Sequence, residues 1–224
     1  MRLNTEAVPL YRAVGNAERT CYILRSIGQS YHFLGQFDKA LSFAFQALAE
    51  AEGADRLSDR AQAHYLIGYL NRDMKNADKA LEHFLEAESL ARRAGNHQYL
   101  CFALNEIGNV YVGRSDFAKA RDYKERAVRE AKALGDPYTI SACLHDMGFF
   151  FYEQKMYREA LPCYQEAYEA IRKRGATRDT LITVVSLGQV HLALGNPDEA
   201  VRLLQPALEE AEKAGLKKEK LEVS

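Results

Sequence analysis

Tryptophan is absent from the 224 residues, proline occurs five times and cysteine four, and no apolar run approaches the ~18 residues a membrane-spanning helix needs. A membrane partner is therefore not expected. Basic and acidic side chains, 30 against 31, leave a formal charge of −1, so the electrostatic footprint of a nucleic-acid binder is missing. Cys21, Cys101, Cys143 and Cys163 never fall in a C-x-x-C spacing. Residues 1–15 lack the charged, apolar and small-residue order of a signal peptide, and free thiols in a reducing cytoplasm are the expectation.

Phosphate-cradling glycine loops, nucleophile elbows and H-E-x-x-H helices are also lacking. The chain holds six histidines, of which His64 and His191 stand where equivalent positions carry Leu or Tyr and read as half-buried packing residues. Cys143 and His145 are two apart on a helix and point to different faces, which prevents them from sharing a metal. Neither an enzyme, nor a cofactor, nor a metal site is expected.

What the chain does contain is a period. Gly28, Gly68, Gly108, Gly148 and Gly188 are spaced by 40 residues, and the series Ala40 to Ala200 and Ala47 to Ala207 keep the same step. Self-similarity at such a period marks one supersecondary unit stacked on copies of itself, a solenoid. Within the third unit, Leu104, Ile107, Gly108 and Tyr111 form the i, i+3, i+4, i+7 stripe of an amphipathic helix A. Ser115-Asp116-Phe117 interrupt it, and Asp116 can cap a helix B that runs through Ala120, Ala127 and Ala131 to Gly135.

A glycine inside a helical stripe costs roughly 1 kcal/mol relative to alanine, so its return in every unit points to close helix contact. The spacing predicts helical hairpins with turns near 35–37, 75–77, 114–117, 155–157 and 195–197, and no strand. Helix B should stop at Gly95, Gly135, Gly175 and Gly215, with Asp55 breaking the series. Pro162 and Pro206 inside helix B lack a backbone donor, and local bends are expected there.

These residues resemble the tetratricopeptide repeat (TPR). Its Leu-Gly pair reads Ile27-Gly28, Ile67-Gly68, Ile107-Gly108, Met147-Gly148 and Leu187-Gly188, and its later aromatic position holds Ala44, Phe84, Lys124, Tyr164 and Leu204. The period of 40 instead of 34 implies longer helices, as in arrays of bacterial signalling proteins, peptide-sensing quorum receptors and spindle-orientation scaffolds. The resemblance implies an all-α, right-handed α-solenoid with ligands on its concave face. Expected repeats are 16–55, 56–95, 96–135, 136–175 and 176–215, preceded by a helix B remnant at 1–15 and followed by the start of a sixth helix A at 216–224. Being cut inside the pattern at both ends, the chain reads as a piece of a longer protein, a regulator of bacterial type.

At 100° per residue, the face beside the packing stripe carries Tyr22, Arg25, Gln29 and His32; Gln62, Tyr65, Tyr69 and Arg72; and Phe102, Asn105, Asn109 and Val112. Further on it carries Ala142, His145, Phe149 and Tyr152, then Ile182, Val185, Gln189 and Leu192. Amides that pair with a backbone, and aromatic rings that cover apolar side chains, suit an extended peptide. The expected binding residues are Tyr22, Arg25, Gln29, Tyr65, Tyr69, Arg72, Phe102, Asn105, Asn109, His145, Phe149 and Tyr152. Two other readings stand beside this one: a scaffold that forms homodimers through its ends, and the sensor of a signalling enzyme whose catalytic part lies outside the chain. The variety of the family that clamps a C-terminal carboxylate is poorly matched, since Arg25 and Arg72 are the basic residues on this face and lie in different units.

Overall fold

A computed structural model of the chain describes residues 2–174 and 177–213. The expected stops at Gly175 and Gly215 and the sixth helix A lie outside the described residues. Among the described residues there are eleven α-helices and no strand. They are α1 (Arg2–Ala13), α2 (Ala17–Phe33), α3 (Phe37–Gly53), α4 (Leu57–Asp73), α5 (Ala77–Ala94), α6 (His97–Gly113), α7 (Phe117–Leu134), α8 (Pro137–Glu153), α9 (Tyr157–Ile171), α10 (Arg178–Ala193) and α11 (Pro197–Lys213). A 3-10 turn, Arg172–Arg174, follows α9.

The even-numbered helices from α2 onward are the A helices and the following odd-numbered ones the B helices. The chain divides into two compact units, residues 1–127 and 128–224, the division falling inside α7. Each unit is built the same way: a helix packs on the helix next to it in sequence, and the A helices also touch one another, α2 on α4 and α4 on α6 in the first unit, α8 on α10 in the second.

The A-to-B turns share one geometry. Gly35, Lys75, Ser115, Lys155 and Gly195 all adopt a left-handed φ between 59° and 79°. The next residue then returns its N–H to the carbonyl five residues back, as in Gln36 to Tyr31 at 2.9 Å and Asn76 to Asn71 at 2.8 Å. Side-chain caps start the following helices: Asp116 accepts from the Lys119 N–H at 3.2 Å and Asp136 from the Thr139 N–H at 2.8 Å. Helices α9 and α11 run through Pro162 and Pro206 without interruption.

The periodic glycines are the contact points of each hairpin. A Cβ on Gly28 would meet the Ala40 carbonyl oxygen at 3.2 Å, and one on Gly68 the Phe84 ring at 2.8 Å. On Gly108 it would meet the Lys124 stem, on Gly148 the Tyr164 ring and on Gly188 the Leu204 side chain, all at 2.8–2.9 Å. Four of the five glycines thus roof a slot filled by the residue sixteen positions later. A second lock is aromatic: Tyr31 stacks on Phe43 at 5.5 Å and Tyr111 on Tyr123 at 5.6 Å.

In the hairpin between them Asn71 replaces the first ring, and its amide donates back to the Ile67 carbonyl at 2.9 Å. His83, left without a stacking partner, faces His64 with Nδ1–Nδ1 at 3.0 Å, and Phe45 lies edge-on to it. His64 is thus half-buried, but as one partner of a polar pair rather than as an apolar substitute.

Candidate functional site

On the first unit, the faces of α2, α4 and α6 that lie beside the packing stripe form a continuous surface. Tyr65 is its hub. Its ring lies 5.5–6.4 Å from those of Tyr69, Phe84, Tyr99 and Phe102, close enough for offset and edge contacts. Burial, and next the nearby Glu106 carboxylate, push the Tyr65 phenol well above its ordinary pKa, so it remains a neutral hydroxyl. The Arg72 guanidinium covers Tyr69 at 4.1 Å, and His32 meets the same ring edge-on at 5.3 Å.

A polar chain runs beside this cluster. His32 Nε2 lies 2.7 Å from Asp73, Arg72 bonds both Asp73 at 3.1 Å and Glu106 at 2.5 Å, and the Asn109 amide donates to Glu106 at 3.3 Å. Burial alone would lower the pKa of Arg72, but the Glu106 carboxylate outweighs it and holds the guanidinium charged. The chain then passes to a side chain from another helix. Lys124, only 2% exposed, extends from α7 beneath Gly108 and donates to Asn109 at 2.6 Å and Asn105 at 3.1 Å.

The structure thus brings Tyr65, Tyr69, Arg72, Phe102, Asn105 and Asn109 into one network. Asn105 is buried within it, while the other five are half-buried. Tyr22 and Gln29 are exposed on α2, and Arg25 is buried beside Asp59. Reading one helix face at a time misses Glu106, which sits one position beyond Asn105, and Lys124, which belongs to a B helix. The signal for Lys124 was present as the one charge in the series Ala44, Phe84, Lys124, Tyr164, Leu204.

On the second unit, His145 lies over Tyr164 at 5.2 Å and within 3.0 Å of Ser186 Oγ. Ser186 donates to the Ile182 carbonyl at 3.1 Å, so the imidazole is the donor in the histidine–serine bond. Burial raises the Tyr164 phenol above its ordinary range, and the hydrogen bond with Ser186 offsets this only in part. Phe149 is half exposed, and Tyr152 packs against Tyr157 at 5.3 Å. Asp146 is 3.8 Å from His145 Nδ1, too far for a hydrogen bond, and no group of three metal-ligating side chains occurs among the described residues.

The cysteines are free, with Cys21, Cys101 and Cys143 buried. Burial raises the thiols of Cys21 and Cys163 to about 11, which makes them unreactive at neutral pH. No helix among the described residues is long and apolar enough to cross a membrane.

The family model described as the MalT-like TPR region matches residues 23–223. No curated protein matches the sequence. Among solved structures, BtubC (BKLC) from P. vanneervenii superimposes with a TM-score of 0.80 at 17% identity, over 96% of this chain and 91% of that one. The quorum sensor NprR from B. thuringiensis in its apo form gives 0.73 at 16% identity, over 97% of this chain and 62% of its own. The Rap conjugation regulator of plasmid pLS20, solved with the Phr* peptide, gives 0.70 at 19% identity, over 92% of this chain and 57% of its own. At these identities the likeness is one of fold: TPR-type helical hairpins in a solenoid.

Proposed function

Since the chain belongs to the MalT-like TPR region family, we propose that it is a non-catalytic peptide-binding module, the sensor or scaffold part of a longer cytoplasmic regulator of bacterial type. The observation that carries this reading is the joined aromatic and polar surface of the first unit. Tyr65, Tyr69 and Phe102 offer ring faces for apolar side chains, while Asn109, Arg72 and Glu106 offer donors and acceptors for a peptide backbone. A half-buried aromatic cluster beside a satisfied polar chain needs little reordering when a ligand arrives, which limits the entropic cost of association. That the pLS20 Rap regulator was solved with a peptide supports the same reading. The mechanism is recognition: an extended segment lies across α2, α4 and α6 on the concave side of the solenoid, its side chains on the rings and its amides on Asn109.

The test is a titration by calorimetry of peptides selected on the wild-type chain from a random display library. Tyr69→Ala should lose about 1–3 kcal/mol of binding, as for a central aromatic contact, and Glu130→Ala, on the opposite helix layer, should bind as wild type. Loss in the Glu130 variant with retention in the Tyr69 variant would move the ligand to the other side of the hairpins.

A further inference from the structure

In the hairpin of α4 and α5 two departures from the repeat meet. His64 stands on α4 where the other units have Leu24, Leu104, Leu144 and Val184, and His83 stands on α5 where they have Phe43, Tyr123, Cys163 and Leu203. Packing alone does not call for two imidazoles. Yet the two Nδ1 atoms, from adjacent helices, face each other at 3.0 Å.

That separation has a meaning in coordination chemistry. With metal–nitrogen bonds of about 2.0–2.1 Å, nitrogens 3.0 Å apart subtend about 95° at a shared ion, whereas a tetrahedral site needs about 3.3 Å between them. A right angle belongs to the tetragonal ions, copper(II) and nickel(II), which imidazole suits. Both rings are half-buried, which leaves a side open to solvent. Burial lowers both below the ordinary pKa of 6.5, so at neutral pH little proton competes with a metal.

The surrounding charges come from three helices. Glu52 on α3 and Glu82 and Glu86 on α5 face the pair, against Arg60 on α4 and Lys79 on α5. Three carboxylates against two cations favour a positive guest. No third ligating side chain joins the two histidines among the described residues, so water completes the coordination.

We propose that His64 and His83 form a two-imidazole chelate for a divalent metal of tetragonal geometry, copper(II) or nickel(II), with water in the remaining positions. The ring that donates through Nδ1 in the metal-free pair shifts its proton to Nε2, and both Nδ1 lone pairs turn to the ion. The bound metal ties α4 to α5 in a hairpin where Asn71 has removed the ring stack. The inference does not rest on the peptide-binding reading.

The test titrates nickel(II), copper(II) and zinc(II) chlorides into the untagged chain by calorimetry at pH 7.5. Nickel should bind wild type about tenfold or more tighter than His64→Leu or His83→Phe, with copper tighter still and zinc weaker than nickel. Both substitutions install side chains that other hairpins carry at the same positions, so both variants should fold in metal-free buffer. His97→Gln, at an exposed position, should bind as wild type. Nickel should raise the melting temperature of the wild type and leave those of the two pair variants unchanged. The electron paramagnetic resonance spectrum of one copper(II) per wild-type chain should show coupling to two nitrogens, a reading independent of how the variants fold. Nickel affinity unchanged in either pair variant, zinc bound more tightly than nickel, or copper coupled to one nitrogen or none overturns the chelate.

Discussion

Beneath Gly68 lies the ring of Phe84, and beneath Gly108, forty residues later, lies the aliphatic stem of Lys124. The two slots have the same walls, a periodic glycine above and a backbone carbonyl, of Ala80 or Ala120, at 3.2 Å from the absent Cβ. Phe84 ends inside the aromatic cluster at Tyr65. Lys124 continues past the glycine and delivers an ammonium group to Asn105 and Asn109. A packing position has thus become a way to charge the inner surface from behind: the stem fills the slot as a hydrophobe does, and the head serves the network.

The largest effects should come from emptying one slot and refilling the other. Phe84→Ala should cost about 3–5 kcal/mol in urea denaturation, through a cavity that the rigid hairpin cannot close. Lys124→Tyr, which installs the residue found beneath Gly148, should cost less than about 1.5 kcal/mol, because a ring replaces a buried charge in a slot that accepts rings. Equal losses in the two variants would show that the ammonium group is structural.

A smaller difference should separate the roofs. Gly68→Ala places a methyl 2.8 Å from an aromatic ring, and Gly108→Ala one 2.9 Å from a flexible lysine stem. About 2–3 kcal/mol and about 1 kcal/mol are the expected losses in melts of the two variants. The reverse order would mean that Lys124 is held more rigidly than Phe84.

The least effect is expected from the histidine pair that stands in place of the ring stack. Burial lowers the pKa of both His64 and His83 below the ordinary 6.5, with the His83 charge adding to the effect on His64. On acidification the unfolded chain therefore takes up protons first. Stability is complete above about pH 6.5, falls as the pH drops through that value, and levels off below the depressed folded values. Glu52, Glu82 and Glu86 oppose this shift, while Arg60 and Lys79 reinforce it. His83→Phe, which restores the ring present at Phe43, should flatten the dependence of the urea midpoint between pH 7.5 and 5.5. An unchanged slope in the variant would place the titration elsewhere.

The glycine and alanine series made the hairpins legible in the sequence because tight helix contact leaves few residue choices. The turns were less so. Lys75, Ser115 and Lys155 take left-handed backbone conformations that neither residue type favours, and only Gly35 and Gly195 at the same phase signal the requirement. Helical periodicity also assembled Tyr65, Tyr69, Arg72, Phe102, Asn105 and Asn109 on neighbouring faces. It could not supply Lys124, whose reach depends on the thinness of Gly108, nor foresee that Asn71 would free His83 to meet His64. Arg25 read as a groove residue, but its burial without hydrogen bonds is a tertiary fact.

The identical A-to-B turns restrict how such a chain can change its length. One residue inserted in a helix turns everything beyond it by about 100° and advances it about 1.5 Å, enough to carry the glycine of that hairpin off its slot and to misplace the hairpins stacked after it. An insertion of 40 residues leaves every roof above its filling. Growth and shrinkage by whole hairpins are therefore the tolerated edits, and the stacked surface comes in discrete lengths.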